Sequence, residues 1–246
     1  MTVLFFHGVP DTPAVWEPLI DALKLKAGTF LTPALPGFAE RAPQGFSGTK
    51  EAYLEWMLAE IDAAATDGPI DIIAHDWGAI LALKAMSLRR DKIRSWVVSG
   101  AVIEPNYHWH RMARLWQTPI IGELVIAITP RRAIAKTMIE QGLSKDLALH
   151  EAKAWNSDMK QMILSLYRSA RTVATDWVFE KDMLPPGGLV IWGEQDPYIP
   201  LKSAILFSKT HEVPLHTITN IGHWALMSQL KRVSVAILHH WAAATP

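Results

Sequence analysis

Short, wholly apolar runs recur along this chain. Each is cut off by glycine, proline or histidine and followed by residues at helical spacing, and that pattern constrains the fold more than any other feature. Thr2 to Phe6 is the first run, ended by His7-Gly8, with helical spacing near Trp16 to Leu23. Gly28 to Leu35 is the second, ended by Pro36-Gly37, and a polar loop then leads to an amphipathic stretch from Lys50 to Ala65. Ile70 to Ala74 is the third and runs into His75-Asp76-Trp77-Gly78, after which Ala79 to Leu88 is rich in helix formers. Ile93 to Val98 is the fourth. Strands alternating with helices in this way predict an α/β fold with a mainly parallel sheet, right-handed crossovers and helices on both faces. Functional loops of such a sheet lie at the carboxyl ends of its strands.

From Asn106 to about Asp182 the pattern changes to successive helical segments rich in Trp, Met, Arg and Ala. This predicts a helical cap over 106–182, inserted in a core domain made of 1–105 and 183–246. Pro185-Pro186-Gly187-Gly188 punctuates the chain, and Leu189 to Trp192 and Leu215 to Thr219 read as the last two strands before a terminal helix. A length of 246 residues fits one elaborated domain.

Lys plus Arg equal Asp plus Glu at 24 each, so no net field draws the chain to nucleic acid or an anionic membrane. The expected partner is a small neutral or apolar molecule, with monomer and homodimer both open. Cysteine is absent, which removes disulfides, thiol nucleophiles and thiolate ligands, and fits a reducing, cytoplasmic setting. The start of the chain lacks a basic flank and a cleavage site, so it reads as a strand and not as a secretory signal. Glu123, Pro130 and Arg131 interrupt the nearest approach to a membrane-spanning run, Ile120 to Thr129, and a soluble chain is expected. His108 and His110, two apart and joined by no well-spaced carboxylate, make no metal site. No cofactor is expected.

The chemistry concentrates at strand ends. A strand entering a helix through small-X-nucleophile-X-Gly forms a sharp turn that lifts the nucleophile above the sheet, and Ala74-His75-Asp76-Trp77-Gly78 has that form. Asp76 as a plain helix cap is the bland alternative. Asp196 follows the strand Leu189 to Trp192, and His223 follows Leu215 to Thr219, so nucleophile, acid and histidine come in the order such a site needs. Singly, Asp196 could be an N-cap before Pro197 and His223 an ordinary loop histidine.

Together, His7-Gly8-Val9-Pro10 with Trp16, His75-Asp76-Trp77-Gly78-Ala79, Asp196-Pro197 and Gly222-His223 resemble the epoxide hydrolase and haloalkane dehalogenase branch of the α/β-hydrolase superfamily. The chain opens on what is usually the third strand of that fold, so the edge hairpin of relatives is expected to be missing. The resemblance implies Asp76 as nucleophile, Asp196 and His223 as its partners, and backbone N–H groups of Val9 and Trp77 as the oxyanion hole. Some members carry the acid after the strand that follows the nucleophile helix, where Glu104 lies.

An aspartate attacking an ester would give an anhydride, so Asp76 suits attack at an sp³ carbon, with hydrolysis of the resulting alkyl ester by water that His223 activates. Epoxide opening leads, and it needs a proton donor. The resemblance implies tyrosines of the cap, here Tyr167 and, less closely matched in position, Tyr107. Dehalogenation is the runner-up: Trp77 resembles a halide-binding tryptophan, Val9 stands where many dehalogenases have asparagine, and Trp109, Trp116, Trp155 or Trp177 would have to supply a second donor. Tyr107-His108-Trp109 is similar to a motif of fluoroacetate dehalogenases and makes His108 and Trp109 candidate substrate-binding residues. Trp77 and Ile80, however, stand where those enzymes would have arginines. A catalytically silent ligand-binding member of the fold is the alternative of a different class.

Overall fold

The six strands are β1 (Val3–Phe6), β2 (Phe30–Leu31), β3 (Ile70–His75), β4 (Ile93–Ser99), β5 (Gly188–Gly193) and β6 (Leu215–Ile218). In this computed structural model, which describes residues 2–101, 104, 107–180 and 182–243, they pair throughout in parallel in the order β2-β1-β3-β4-β5-β6. Every residue of β1, β3 and β5 is buried. Because side chains alternate along a strand, β1 feeds two cores. Leu4 and Phe6 join one with Ile72 and Ala74, and Val3 and Phe5 join the other with Ile73 and Val97.

Helices cover both faces. Glu17–Leu23 (α1) and the terminal helix pack on the Val3 side through Leu19, Ile237 and Trp241. Lys50–Ala64 (α2) and Asp76–Leu88 (α3) pack on the Leu4 side. Thr49 caps α2 by accepting the Ala52 N–H at 3.3 Å, and Tyr53, Met57 and Ile61 give it one buried face. β2 is shorter than the run Gly28 to Leu35 that the sequence suggests. Pro33 and Pro36 have no N–H to add to a ladder, so pairing stops after Leu31.

Between β4 and β5 the described residues hold helices and no strand: Arg111–Gln117 (α4), Ile121–Ile128 (α5), Arg131–Glu140 (α6), Lys145–Glu151 (α7), Ser157–Ser169 (α8) and Val173–Asp176 (α9). The expected boundary at 105 and 106 lies outside the described residues. Asn156 caps α8 through the Met159 N–H at 3.0 Å. Met159, Met162, Ile163, Leu166 and Tyr167 then fall on one buried face at helical spacing, which turns Tyr167 inward. Leu201–His211 (α10) joins β5 to β6, and Leu230–Ala243 (α11) ends the described chain.

α3 is buried on nearly every side, and its first turn lies against the end of β1. A Cβ on Gly78 would strike the carbonyl oxygens of Phe6 and His7, so glycine sets how near α3 approaches that backbone. We expect Gly78→Ala to lower folding stability by about 1–3 kcal/mol, the ordinary cost of overpacking, as measured by thermal denaturation. An unchanged midpoint would show that the helix has room to move.

Candidate active site

Strand order reverses direction at β1 and β3: β2 lies on one side of this pair, and β4 to β6 lie on the other. A crevice opens at such a switch point, beyond the carboxyl ends of the strands. Phe6 pairs with Ala74 in register, so the residues that follow both strands emerge at one level. They include Val9 after β1 and Asp76 after β3.

Asp76 has φ 50°, a left-handed conformation that is rare for a residue with a side chain and is favoured only for Gly, Asn and Asp. Held there as the first residue of α3, it turns its carboxylate toward the β1 loop, where Oδ2 accepts the Val9 N–H at 2.9 Å. The Trp77 amide lies in the first turn of α3, where the helix supplies no acceptor. His7 braces the same loop. Its Nδ1–H donates to the Gly8 carbonyl at 2.9 Å, and its Nε2 accepts the Leu35 N–H at 3.0 Å. Both bonds require the neutral ring, and burial lowers its pKa to about 4.

His223 Nε2 lies 3.4 Å from Asp76 Oδ1, and His223 Nδ1 lies 2.8 Å from Asp196 Oδ2. The other oxygen of Asp196 accepts the backbone N–H groups of Tyr198 and Ile199 at 2.8 and 3.0 Å. Asp196 therefore organises its own turn and does not cap α10, which begins at Leu201. Gly193 and Gly222 bring the two loops together, since a Cβ on Gly193 would collide with the Gly222 carbonyl. Burial alone would discharge all three groups, but their mutual attraction outweighs it. Asp76 and Asp196 stay below the usual carboxylate range, and the two carboxylates push His223 up to about 10.

A cavity of about 420 Å³ opens over this cluster, lined by Asp76, His223, Tyr107, Trp109, Tyr167 and other, mostly apolar, residues. Burial and then the charge of Asp76 hold the Tyr167 hydroxyl well above its usual pKa, so it stays protonated. Tyr107 also reaches the cavity, but its hydroxyl donates to the Tyr198 carbonyl at 3.0 Å. Two residues proposed from sequence stand elsewhere. Glu104 accepts the Ser203 hydroxyl at 2.5 Å, while Asp196 takes the place beside His223. His108 is exposed and does not line the cavity, whereas Tyr107 and Trp109 on either side of it do.

Tyr198 and His110 line the cavity as well. Tyr198 lies two residues beyond Asp196 and could have been suspected from that loop. His110 gives no sequence signal, because its inward direction comes from the turn into α4.

A family model described as "Alpha/beta hydrolase family" matches residues 3–236. The chain belongs to that family. Among curated proteins, it is similar to "Epoxide hydrolase 3" of Xenopus tropicalis, with 23% identity over 96% of this chain and 70% of that one. Among solved structures, the hydrolase is similar to 2-hydroxy-6-oxo-6-phenylhexa-2,4-dienoate hydrolase from Rhodococcus sp. strain RHA1, at TM-score 0.79 and 17% identity over 98% and 90% of the two chains. It is also similar to haloalkane dehalogenase DbeA from Bradyrhizobium elkani USDA94, at TM-score 0.73 and 18% identity over 98% and 91%. These two likenesses are of fold.

A second buried acidic pair ties the helical segment of the hydrolase to the Val9 loop. Glu151 of α7 accepts the Thr12 N–H at 2.5 Å and the Thr12 hydroxyl at 3.1 Å, and Asp11 accepts the Trp224 indole N–H at 3.0 Å. Burial, with the charge of Asp76, raises Asp11 to about 7, and burial, with the charge of Asp11, raises Glu151 to about 8. Such groups hold more protons folded than unfolded, so the stability they confer is full at acid pH and lost as pH climbs through about 7 to 8. We expect Glu151→Gln to flatten the fall in melting temperature between about pH 5 and about pH 8.5. Equal slopes in wild type and variant would remove Glu151 as a source of that dependence.

Proposed function

We propose that this hydrolase opens epoxides through an alkyl ester on Asp76 and releases the vicinal diol. The observation that carries this reading is a carboxylate at the strand-to-helix turn, with a backbone donor on one oxygen, an imidazole beside the other and the Tyr167 hydroxyl in the same cavity. A carboxylate in that place suits an sp³ carbon, because attack on an ester would give an anhydride. The likeness to a protein named epoxide hydrolase supports the same reading.

The two oxygens of Asp76 take different parts. Oδ2 is held by Val9 N–H, so Oδ1 is the attacking oxygen. The C–O bond of the epoxide breaks, its electron pair stays on oxygen, and that oxygen takes the proton of Tyr167. Oδ2 then becomes the ester carbonyl, already in contact with the donor that stabilises its oxyanion when water attacks. Esterification also removes the charge of Asp76, one of the two that hold a proton on His223. His223 then gives its proton to the Tyr167 phenolate, and the neutral imidazole takes a proton from the attacking water. Collapse of the tetrahedral adduct breaks the ester C–O bond, the leaving alkoxide of the diol is protonated from the new Asp76 carboxylic acid, and Asp76 returns as a carboxylate beside protonated His223.

Dehalogenation is the second reading. The indole N–H of Trp116 has no acceptor among the described residues, that of Trp77 has only a loose contact with the Tyr167 hydroxyl oxygen, and both rings contact Tyr167, at 5.2 and 5.0 Å between centroids. Trp109 and Trp155 donate to the Ala170 and Thr129 carbonyls instead. This reading ranks second because both N–H groups are enclosed by packing and would have to shift to meet a halide.

Asp76→Gly should abolish turnover without loss of fold, since glycine accepts φ 50° with ease. His223→Gln should accumulate an adduct on Asp76, visible by intact-protein mass spectrometry, because only the second step needs activated water. Active Asp76→Gly enzyme would dispose of the nucleophile assignment. In turn, Tyr167→Phe should slow adduct formation from epoxides at least about tenfold. Halide release from bromoalkanes with no diol from an epoxide panel would favour the second reading, and inertness to both panels would favour a silent binding protein.

A further inference from the structure

Ring opening concentrates negative charge on one oxygen, and an enclosed site stabilises it best with more than one donor. The Tyr107 hydroxyl has one proton and gives it to the Tyr198 carbonyl. Tyr107 therefore braces the loop after Asp196 and has no proton left for a ligand.

His110 meets the need instead. It caps α4, and its Nδ1 accepts the Ala113 N–H at 3.3 Å, so that nitrogen carries no proton. Burial lowers the pKa of the ring to about 4, against the opposing charge of Asp76, so the imidazole is neutral near pH 7 and its proton sits on Nε2. The cap bond thus fixes the tautomer. The ring lines the cavity that holds Asp76 and Tyr167, with its centroid 4.8 Å from that of Tyr198 and 6.5 Å from that of Tyr167. The His110 ring is half-buried, and unlike the indole nitrogens of Trp77 and Trp116 its Nε2 is not among the enclosed, unpartnered polar atoms of the described residues.

We propose that His110 is a further catalytic residue, its Nε2–H donating a hydrogen bond to the epoxide oxygen while Tyr167 transfers the proton. This rests on the epoxide reading. As the Asp76 Oδ1–carbon bond forms and the carbon–oxygen bond breaks, the electron pair remains on oxygen and takes the Tyr167 proton. His110 loses none and stays neutral throughout.

Two substitutions separate this role from capping. His110→Gln places an amide N–H near the position of Nε2 and removes the cap acceptor. His110→Asn keeps an acceptor near the position of Nδ1 and removes the donor. Single-turnover alkylation by styrene oxide should stay within about tenfold of wild type in His110→Gln and fall about a hundredfold or more in His110→Asn. Melting temperatures should run in the opposite order, because only Asn retains the cap. Rates that follow the melting temperatures, or a fully active His110→Asn, would overturn the proposal.

A second arm needs no turnover. Phenylacetamide, whose carbonyl oxygen accepts the same donors, should bind wild type and His110→Gln alike by calorimetry, and His110→Asn at least about tenfold more weakly. If wild type opens no epoxide, the epoxide reading fails and this arm alone decides whether His110 is a donor. Equal binding by all three proteins, or none by wild type, would reject it.

Discussion

The site depends on one backbone conformation, the left-handed Asp76 between β3 and α3. A right-handed residue there would carry the strand smoothly into the helix and leave the carboxylate against the sheet. The left-handed turn directs it into the crevice at the switch point, and packing maintains the strain. Gly78 lets α3 rest on the end of β1, and the Val9 N–H grips the carboxylate from the β1 loop. The turn, the loop and the carboxylate therefore stabilise one another.

Electrostatics builds outward from that point. Two carboxylates and one imidazole share a buried volume in which none would keep its charge alone, and their proximity keeps all three ionised. Further off, Asp11 and Glu151 respond in the opposite way: burial outweighs the partial offset that His223 gives Asp11, and the two rise to about 7 and about 8. Burial is common to both groups, and direct contact with a positive charge decides between the two outcomes. Asp11 also anchors Trp224, beside His223, so this acidic pair joins the Val9 loop, the histidine loop and α7.

The aromatic wall of the cavity follows the same economy of donors. Tyr107 and Trp109 give their protons to backbone carbonyls and so act as braces. Tyr167 is turned inward by the apolar face of α8, and His110 accepts the Ala113 N–H through Nδ1, so neither proton is given to a backbone carbonyl among the described residues. Residue type alone does not distinguish a brace from a donor. The neighbouring acceptor does.

Local pattern was enough to read the sheet, because a strand buried on both faces must be apolar and must end where glycine or proline breaks it. The same logic pointed to Asp76, Asp196 and His223, each following a run that could only be a strand, and the fold brings the two carboxylates to within 3.4 and 2.8 Å of the imidazole. Where prolines intervened the pattern overreached, as in Gly28 to Leu35, of which only Phe30–Leu31 pairs. What the sequence left open was every choice made by contact between distant segments. Asp196 rather than Glu104 stands beside His223, Tyr107 lends its proton to Tyr198, His110 faces inward while His108 faces out, and Glu151 meets Thr12 across 139 positions of chain. Strand and helix periodicity is written within a few residues of each side chain, so the sequence determined it. A hydrogen-bond partner is fixed only when folding brings two remote segments within about 3 Å, so the tertiary structure decided it.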